Sequence, residues 1–150
     1  MKLKTKAKEK DMGRFAVDVE LANNSDIELA RGGHLDPAKV RRLKIQGVVD
    51  SGAARLVLPE AVARQLGLRV TSKVKVRYAD HRTVQRPQVE GVYLELLGRN
   101  GVFKATLEPK RDTALIGAIV LEDLDYLVDR TNQRIYPRDP KFVVSEIEEA

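Results

Sequence analysis

Period-two alternation is the feature that most narrows what this chain can become. In "FAVDVEL", Phe15, Val17, Val19 and Leu21 fall on one face and Ala16, Asp18 and Glu20 on the other. "VRRLKIQGVVD" repeats the pattern with Leu43, Ile45, Gly47 and Val49, and "VKVRY" does so with Val74, Val76 and Tyr78. Side chains alternating at this period belong to strands that bury one face. "VKVRY" leads through "ADHRT" toward "VEGVYLEL", which predicts a long hairpin with a polar tip. In "GRNGVFKATLE" the pair Asn100-Gly101 is a hairpin signal between two further strands.

Helical patterns are few. "PEAVARQLGL" predicts a short helix, with Pro59 in its first turn and Gly67 at its stop. "ALIGAIVLEDLDYLVD" starts as a buried strand and turns into a helix carrying Val120, Leu124, Leu127 and Val128 on one face, with its acidic residues solvated. "NNSD" is expected to be a turn, with Ile27 and Leu29 in a second short strand, and the C-terminal tail to offer one or two more. The expected architecture is mostly β with one or two short helices, without repeats and without a second domain.

At 150 residues the chain can bury a core without covalent staples. It has no cysteine, which excludes disulfides and thiolate metal sites. No apolar run suits a membrane span or a signal peptide, so a cytoplasmic protein without membrane contact is expected. The net charge is +5, but five lysines and one glutamate in "MKLKTKAKEK" account for four of those charges. The rest therefore sums to about +1. A nucleic-acid domain carries its basic excess on the folded body, so no nucleic-acid partner is expected. The division this suggests is a disordered lysine-rich tail over residues 1–11 and one domain over 12–150.

The chemistry-bearing residues are sparse. His34 and His81 are far apart and show no ligand spacing, so no metal is expected. Neither a Gly-x-Ser-x-Gly elbow nor a phosphate-binding glycine loop is present, and no cofactor is implied. What remains is Asp50-Ser51-Gly52-Ala53, placed where an apolar strand ends. A carboxylate held rigidly can position a water, and small neighbours let backbone N–H groups turn toward it. The tripeptide alone is also a common turn.

Its context is more specific. Val48-Val49 precedes it, "LPEAVARQLGL" follows, and some sixty residues later "ALIG" leads into a helix, with the polar-tipped hairpin between. This ordered set resembles the retropepsin-like aspartic proteases, the fold of retroviral proteases and their single-domain bacterial relatives, over roughly residues 12 to 145. The resemblance implies a closed β barrel or sandwich with a flap hairpin. It also implies a catalytic Asp50, with Ser51 and Gly52 completing the motif and Ser51 bracing the loop. Leu115, Ile116 and Gly117 would then pack beneath that loop. Ala53, Tyr78, Ala79, Asp80, His81 and Arg82 would meet a polypeptide substrate. The tip Ala79-Asp80-His81-Arg82 lacks the glycines common in the family's flaps; a His81 placed where the turn needs positive φ would carry a backbone cost that glycine avoids, and a His81 placed elsewhere could contact a polar substrate.

Aspartic proteolysis needs two carboxylates sharing a proton. The chain has one Asp-Ser-Gly and no Asp-Thr-Gly, and Asp112-Thr113 is followed by Ala114. The resemblance therefore implies a homodimer with Asp50 of each subunit on the twofold axis. Two other classes compete with this endopeptidase. One is a non-catalytic dimeric module of the same fold that binds peptide or partner protein. The other is a small β-type DNA-binding regulator, against which the near-neutral body argues.

Overall fold

The computed structural model describes residues 14–148; the lysine-rich segment 1–11 lies outside the described residues. Six strands close into a barrel. β1 (Arg14–Asn23) runs antiparallel to β2 (Arg42–Asp50), with Arg14 opposite Asp50 and Ala22 opposite Arg42. β2 lies parallel to β7 (Ala114–Ile116), which meets β3 (Leu56–Pro59) antiparallel at Leu115 and Val57. β3 lies parallel to β6 (Arg99–Glu108), and β6 antiparallel to β5 (Thr83–Leu96). Pairing of β5 with β1 closes the ring. β4 (Val70–Arg77) pairs with β5 alone and stands outside it. This is the mostly β, closed-barrel architecture of the acid-protease fold.

One strand serves two purposes because it is bulged. Thr83–Val89 of β5 forms the hairpin with β4, while Val92–Glu95 seals the barrel against β1. The register against β6 shifts between Val89 and Val92, where Gly91 takes φ +70°. A bulge with glycine in the left-handed region bends a strand without a Cβ penalty.

The alternating faces meet inside the ring. Val19, Leu21, Val49, Leu58, Leu94 and Ile116 are all almost fully buried. Each such side chain contributes roughly 1.5–3 kcal/mol relative to leaving it in water. α2 (Glu60–Gln65) and α3 (Ala118–Leu124) plug the barrel with Val62, Val120, Leu121 and Leu124.

Three expectations are corrected. Asn24–Arg31 forms a helix, α1, where a turn and a strand were expected. Asn23 starts it by accepting the Asp26 N–H at 3.1 Å, and Leu29 is left exposed. The turn between β5 and β6 is Leu97-Gly98, both at positive φ, and not Asn100-Gly101. That register pairs Leu94 with Gly101 and keeps Leu94 and Leu96 inside, and the missing Cβ of Gly101 makes room for the Phe103 ring. Finally, the last helix stops at Leu124, and Leu127 and Val128 lie on a strand, β8 (Tyr126–Asp129), paired with β9 (Arg134–Pro137).

The stop is Asp125, which takes φ +59° and is buried rather than solvated. Its carboxylate accepts from Arg138 Nη2 at 2.6 Å and Nε at 3.0 Å, and from the Val144 N–H at 2.9 Å. The chain beyond β9 is thereby fastened to the barrel. Asp26 is a second buried carboxylate, gripped by the Arg41 guanidinium at 2.8 and 3.0 Å and by the Arg41 N–H. The Arg41 side chain holds the Asp26 pKa below its ordinary value, and the Val144 N–H followed by Arg138 does the same for Asp125.

A carboxyl with a depressed folded pKa stabilises the fold above its unfolded pKa and loses that contribution as pH falls through the folded one. The ordinary value here is 3.8, so the thermal midpoint should fall steeply as pH drops below that range. Asp26→Asn with Asp125→Asn should flatten the fall while lowering the midpoint at pH 7. Thermal melts at pH 7, 5, 4 and 3 measure both effects. An acid slope unchanged in the double variant would refute the assignment.

Candidate active site

Asp50 is the last residue of β2, and the chain turns sharply after it. Its carbonyl accepts the Ala53 N–H at 3.1 Å, and its Oδ1 accepts the Gly52 N–H at 3.0 Å. A Cβ on Gly52 would stand 3.2 Å from Oδ1, so glycine is what lets the backbone donor come this close. Arg14 Nε lies 3.2 Å from the other oxygen, Oδ2. The Asp50 side chain is 16% exposed and that of Arg14 62%, so the carboxylate is shielded but reachable and its counter-ion is washed by water.

The β7–α3 junction locks the loop from beneath. The Ala118 N–H donates to the Ala53 carbonyl at 2.8 Å, and the Ile119 N–H to the Ala54 carbonyl at 2.9 Å. The first N–H groups of a helix have no partner inside it, and here the loop's carbonyls take them. Leu115 borders the loop, Ile116 is fully buried against Gly47, and Gly117 lies directly under the backbone of Ala53 and Arg55. Ser51 Oγ accepts from Arg130 Nη2 at 3.1 Å, reaching from the β8–β9 turn.

Beside the loop opens a cleft of about 790 Å³, bounded by Gly52–Arg55, by β4 and by the segment from Glu108 to Leu115. Asp50 is not itself in the lining; it stands immediately behind Gly52 at the cleft's edge. Tyr78 lines the cleft, its hydroxyl donating to the Glu108 carboxylate and accepting from Arg86 Nε at 3.1 Å. Arg86 and Glu108 also pair at 3.4 Å. This three-residue tie anchors the β4–β5 hairpin to β6.

The hairpin tip itself stands clear. Ala79, Asp80, His81 and Arg82 are exposed and do not line the cleft. Tyr78 and Arg82 close a three-residue loop, with the His81 N–H donating to the Tyr78 carbonyl at 2.9 Å. This is a type I turn followed by a left-handed residue, and that residue is His81 at φ +67°. A non-glycine residue there costs about 1–2 kcal/mol.

Residues 36–118 match the aspartyl protease family. The chain belongs to that family. It is of the retropepsin-like kind, and the matched span holds Asp50-Ser51-Gly52, the whole β4–β5 hairpin and Leu115-Ile116-Gly117. The match ends at Ala118, the residue whose N–H ties α3 to the loop. No curated protein matches the chain.

Sequence reasoning passed over Arg14, Arg111 and Arg130, three cations gathered around the Asp50 loop. Arg14 follows from register, since β1 sets it opposite Asp50 once the strands pair. Arg130 comes from 79 residues away, and no local signal marks it. Among the described residues no three His, Asp or Glu side chains cluster to hold a metal ion, and no helix is long and apolar enough to cross a membrane.

Proposed function

We propose that the chain is an aspartic endopeptidase acting as a homodimer, with a water activated between the Asp50 carboxylates of two subunits. The observation that carries this reading is the held carboxylate. A strand end, a glycine N–H and a loop bonded to α3 fix Asp50 beside a peptide-sized cleft, in a chain of the aspartyl protease family. One carboxylate of the pair takes the proton from water and the other protonates the scissile carbonyl. Two like charges so close do not both ionise readily, so they share a proton and titrate as a pair. No covalent intermediate forms, because water is the nucleophile.

The chain offers apolar surface for such a dimer. Phe142, Val143 and Ile147 are exposed along the irregular segment beyond β9, which Asp125 and Arg99 hold against the barrel. Pairing of this segment with its copy would cover those side chains.

One observation favours a second reading, a dimeric module that binds peptide without cutting it. Arg14 already pairs with Asp50 Oδ2, the oxygen that Gly52 leaves free. The two readings separate in one experiment. Cleavage of a fluorogenic peptide library is measured over a range of enzyme concentrations, with sedimentation on the same samples. The endopeptidase gives a rate per subunit that rises with the dimer fraction. A stable dimer that cuts nothing across acidic to neutral pH supports the module. Cleavage by a strict monomer ends the shared-site mechanism.

A further inference from the structure

The cleft beside Asp50 is unusually cationic for this chain. Its floor is apolar, formed by Val57, Val74, Val76 and Leu115. Around that floor stand Arg55, Lys110 and Arg111, while Lys75 and Arg77 border the cleft from β4 with their side chains on the strand's other, exposed face. Among the described residues only two carboxylates, Glu108 and Asp112, share the lining, and Glu108 is already engaged by Arg86 and Tyr78. None of Arg55, Lys110 and Arg111 has an ion-pair partner among the described residues. Outside the lysine-rich first ten residues the chain sums to only about +1, so this is a local concentration of charge and not the average of the surface.

Arg111 is the most committed of the three. It is half-buried, and its Nε donates to the Thr113 carbonyl at 2.7 Å while Nη2 reaches Thr113 Oγ1 at 3.3 Å. Those two bonds fix the plane of the guanidinium and leave Nη1 without a partner among the described residues. Burial, with Arg14 nearby, pulls its pKa below the ordinary arginine value. Asp112, Glu108 and Asp50 act on it at longer range and partly offset that pull, but none forms an ion pair with it among the described residues; an incoming carboxylate that reaches the open Nη1 adds charge-assisted bonds that these do not make.

We propose that this cleft selects acidic polypeptide segments: apolar side chains lie on the Val74, Val76 and Leu115 floor, and a neighbouring Asp or Glu of the substrate is taken by Arg111. Lys110 and Arg55 supply the field that draws it in. The proposal rests on the endopeptidase reading and narrows it to a substrate class. A nucleic acid is the other polyanion to consider, but single strands are held on aromatic platforms, and Tyr78 is the one aromatic residue in the lining.

The test uses three labelled peptides with one apolar centre and acidic, neutral or basic flanks, and an oligothymidylate. Binding to the Asp50→Asn protein is followed by anisotropy at 50 and 300 mM salt, and cleavage by the unaltered protein is followed in parallel. The acidic peptide should bind about tenfold more tightly than the neutral one, with the gap shrinking at high salt. Arg111→Gln should remove most of that gap, and Arg111→Glu should favour the basic peptide. Lys110→Gln, at an exposed position, gives a smaller loss in the same direction and guards against misfolding of the Arg111 variants. Equal binding of all three peptides, or oligothymidylate displacing the acidic peptide at equal concentration, overturns the proposal. Acidic preference without cleavage keeps the proposal and removes the endopeptidase; cleavage without acidic preference does the reverse.

Discussion

Asp50→Asn should abolish peptide hydrolysis while leaving the barrel folded. Asparagine keeps the shape of the side chain, and its carbonyl oxygen can still accept the Gly52 N–H now held at 3.0 Å by Oδ1. What it loses is the ability to take a proton from water, a contribution of about 10²–10⁴ in rate for a single general base. Because the proposed pair shares one proton, the substitution removes both roles at once, and the loss should reach the upper end of that range. The cost to stability should be small. The ion pair with Arg14 is largely solvent-exposed on the arginine side, and such pairs contribute about 0–1 kcal/mol. At alkaline pH, where both carboxyls of the unaltered pair lose their protons and repel, the uncharged variant dimer should dissociate at lower concentration than the unaltered one. Peptide cleavage, thermal melts and sedimentation measure the three effects. Full cleavage by Asp50→Asn would leave the carboxylate mechanism without support.

The residues differ in how much of this arrangement they reveal in sequence. Strands such as Phe15–Leu21 and Leu43–Val49 are legible because one face meets a closed core and the other meets water, so the period of two is written into residue type. Asp50 is legible because it interrupts such a strand where nothing in packing calls for a charge. Asn24–Arg31 is not, since Asn and Ser serve turns and helix caps alike, and only the bond from the Asp26 N–H to Asn23 decides between them. The Leu97-Gly98 turn is hidden for a different reason. Asn100-Gly101 carries the stronger local signal, yet the barrel needs Leu94 and Leu96 inside, and tertiary burial outweighs turn preference. Asp125 looks like one more solvated acid until the chain returns with Arg138 and Val144 to enclose it. Those partners lie 13 and 19 residues away and follow no helical or strand period.

Gly117→Ala should be the most damaging single-methyl change near the site. A Cβ at this position would stand 2.4 Å from the Arg55 carbonyl oxygen, 2.8 Å from that of Ala53 and 2.8 Å from the Arg55 nitrogen. All three are backbone atoms of the loop that follows Asp50, so no side chain can swing aside to relieve the contact. The backbone angle is not the obstacle, because φ of −89° suits any residue; the obstacle is space alone. Either the loop rises or α3 retreats, and either movement stretches the 2.8 and 2.9 Å bonds by which Ala53 and Ala54 receive the helix's first N–H groups. Overpacking of this kind costs about 1–3 kcal/mol and sometimes more. For a chain of this length that is a fall of roughly 2–12 °C in Tm. Activity should fall further than stability, because the same loop fixes Asp50, and a displacement of about 1 Å can cost on the order of a hundredfold in rate. Gly117→Val adds two methyl groups to the same contact and should not fold at 37 °C. Tm and cleavage of one peptide, measured below the Tm of each variant, separate the two effects. A Gly117→Ala protein as stable and as active as the parent would mean that the loop does not rest on the β7–α3 junction.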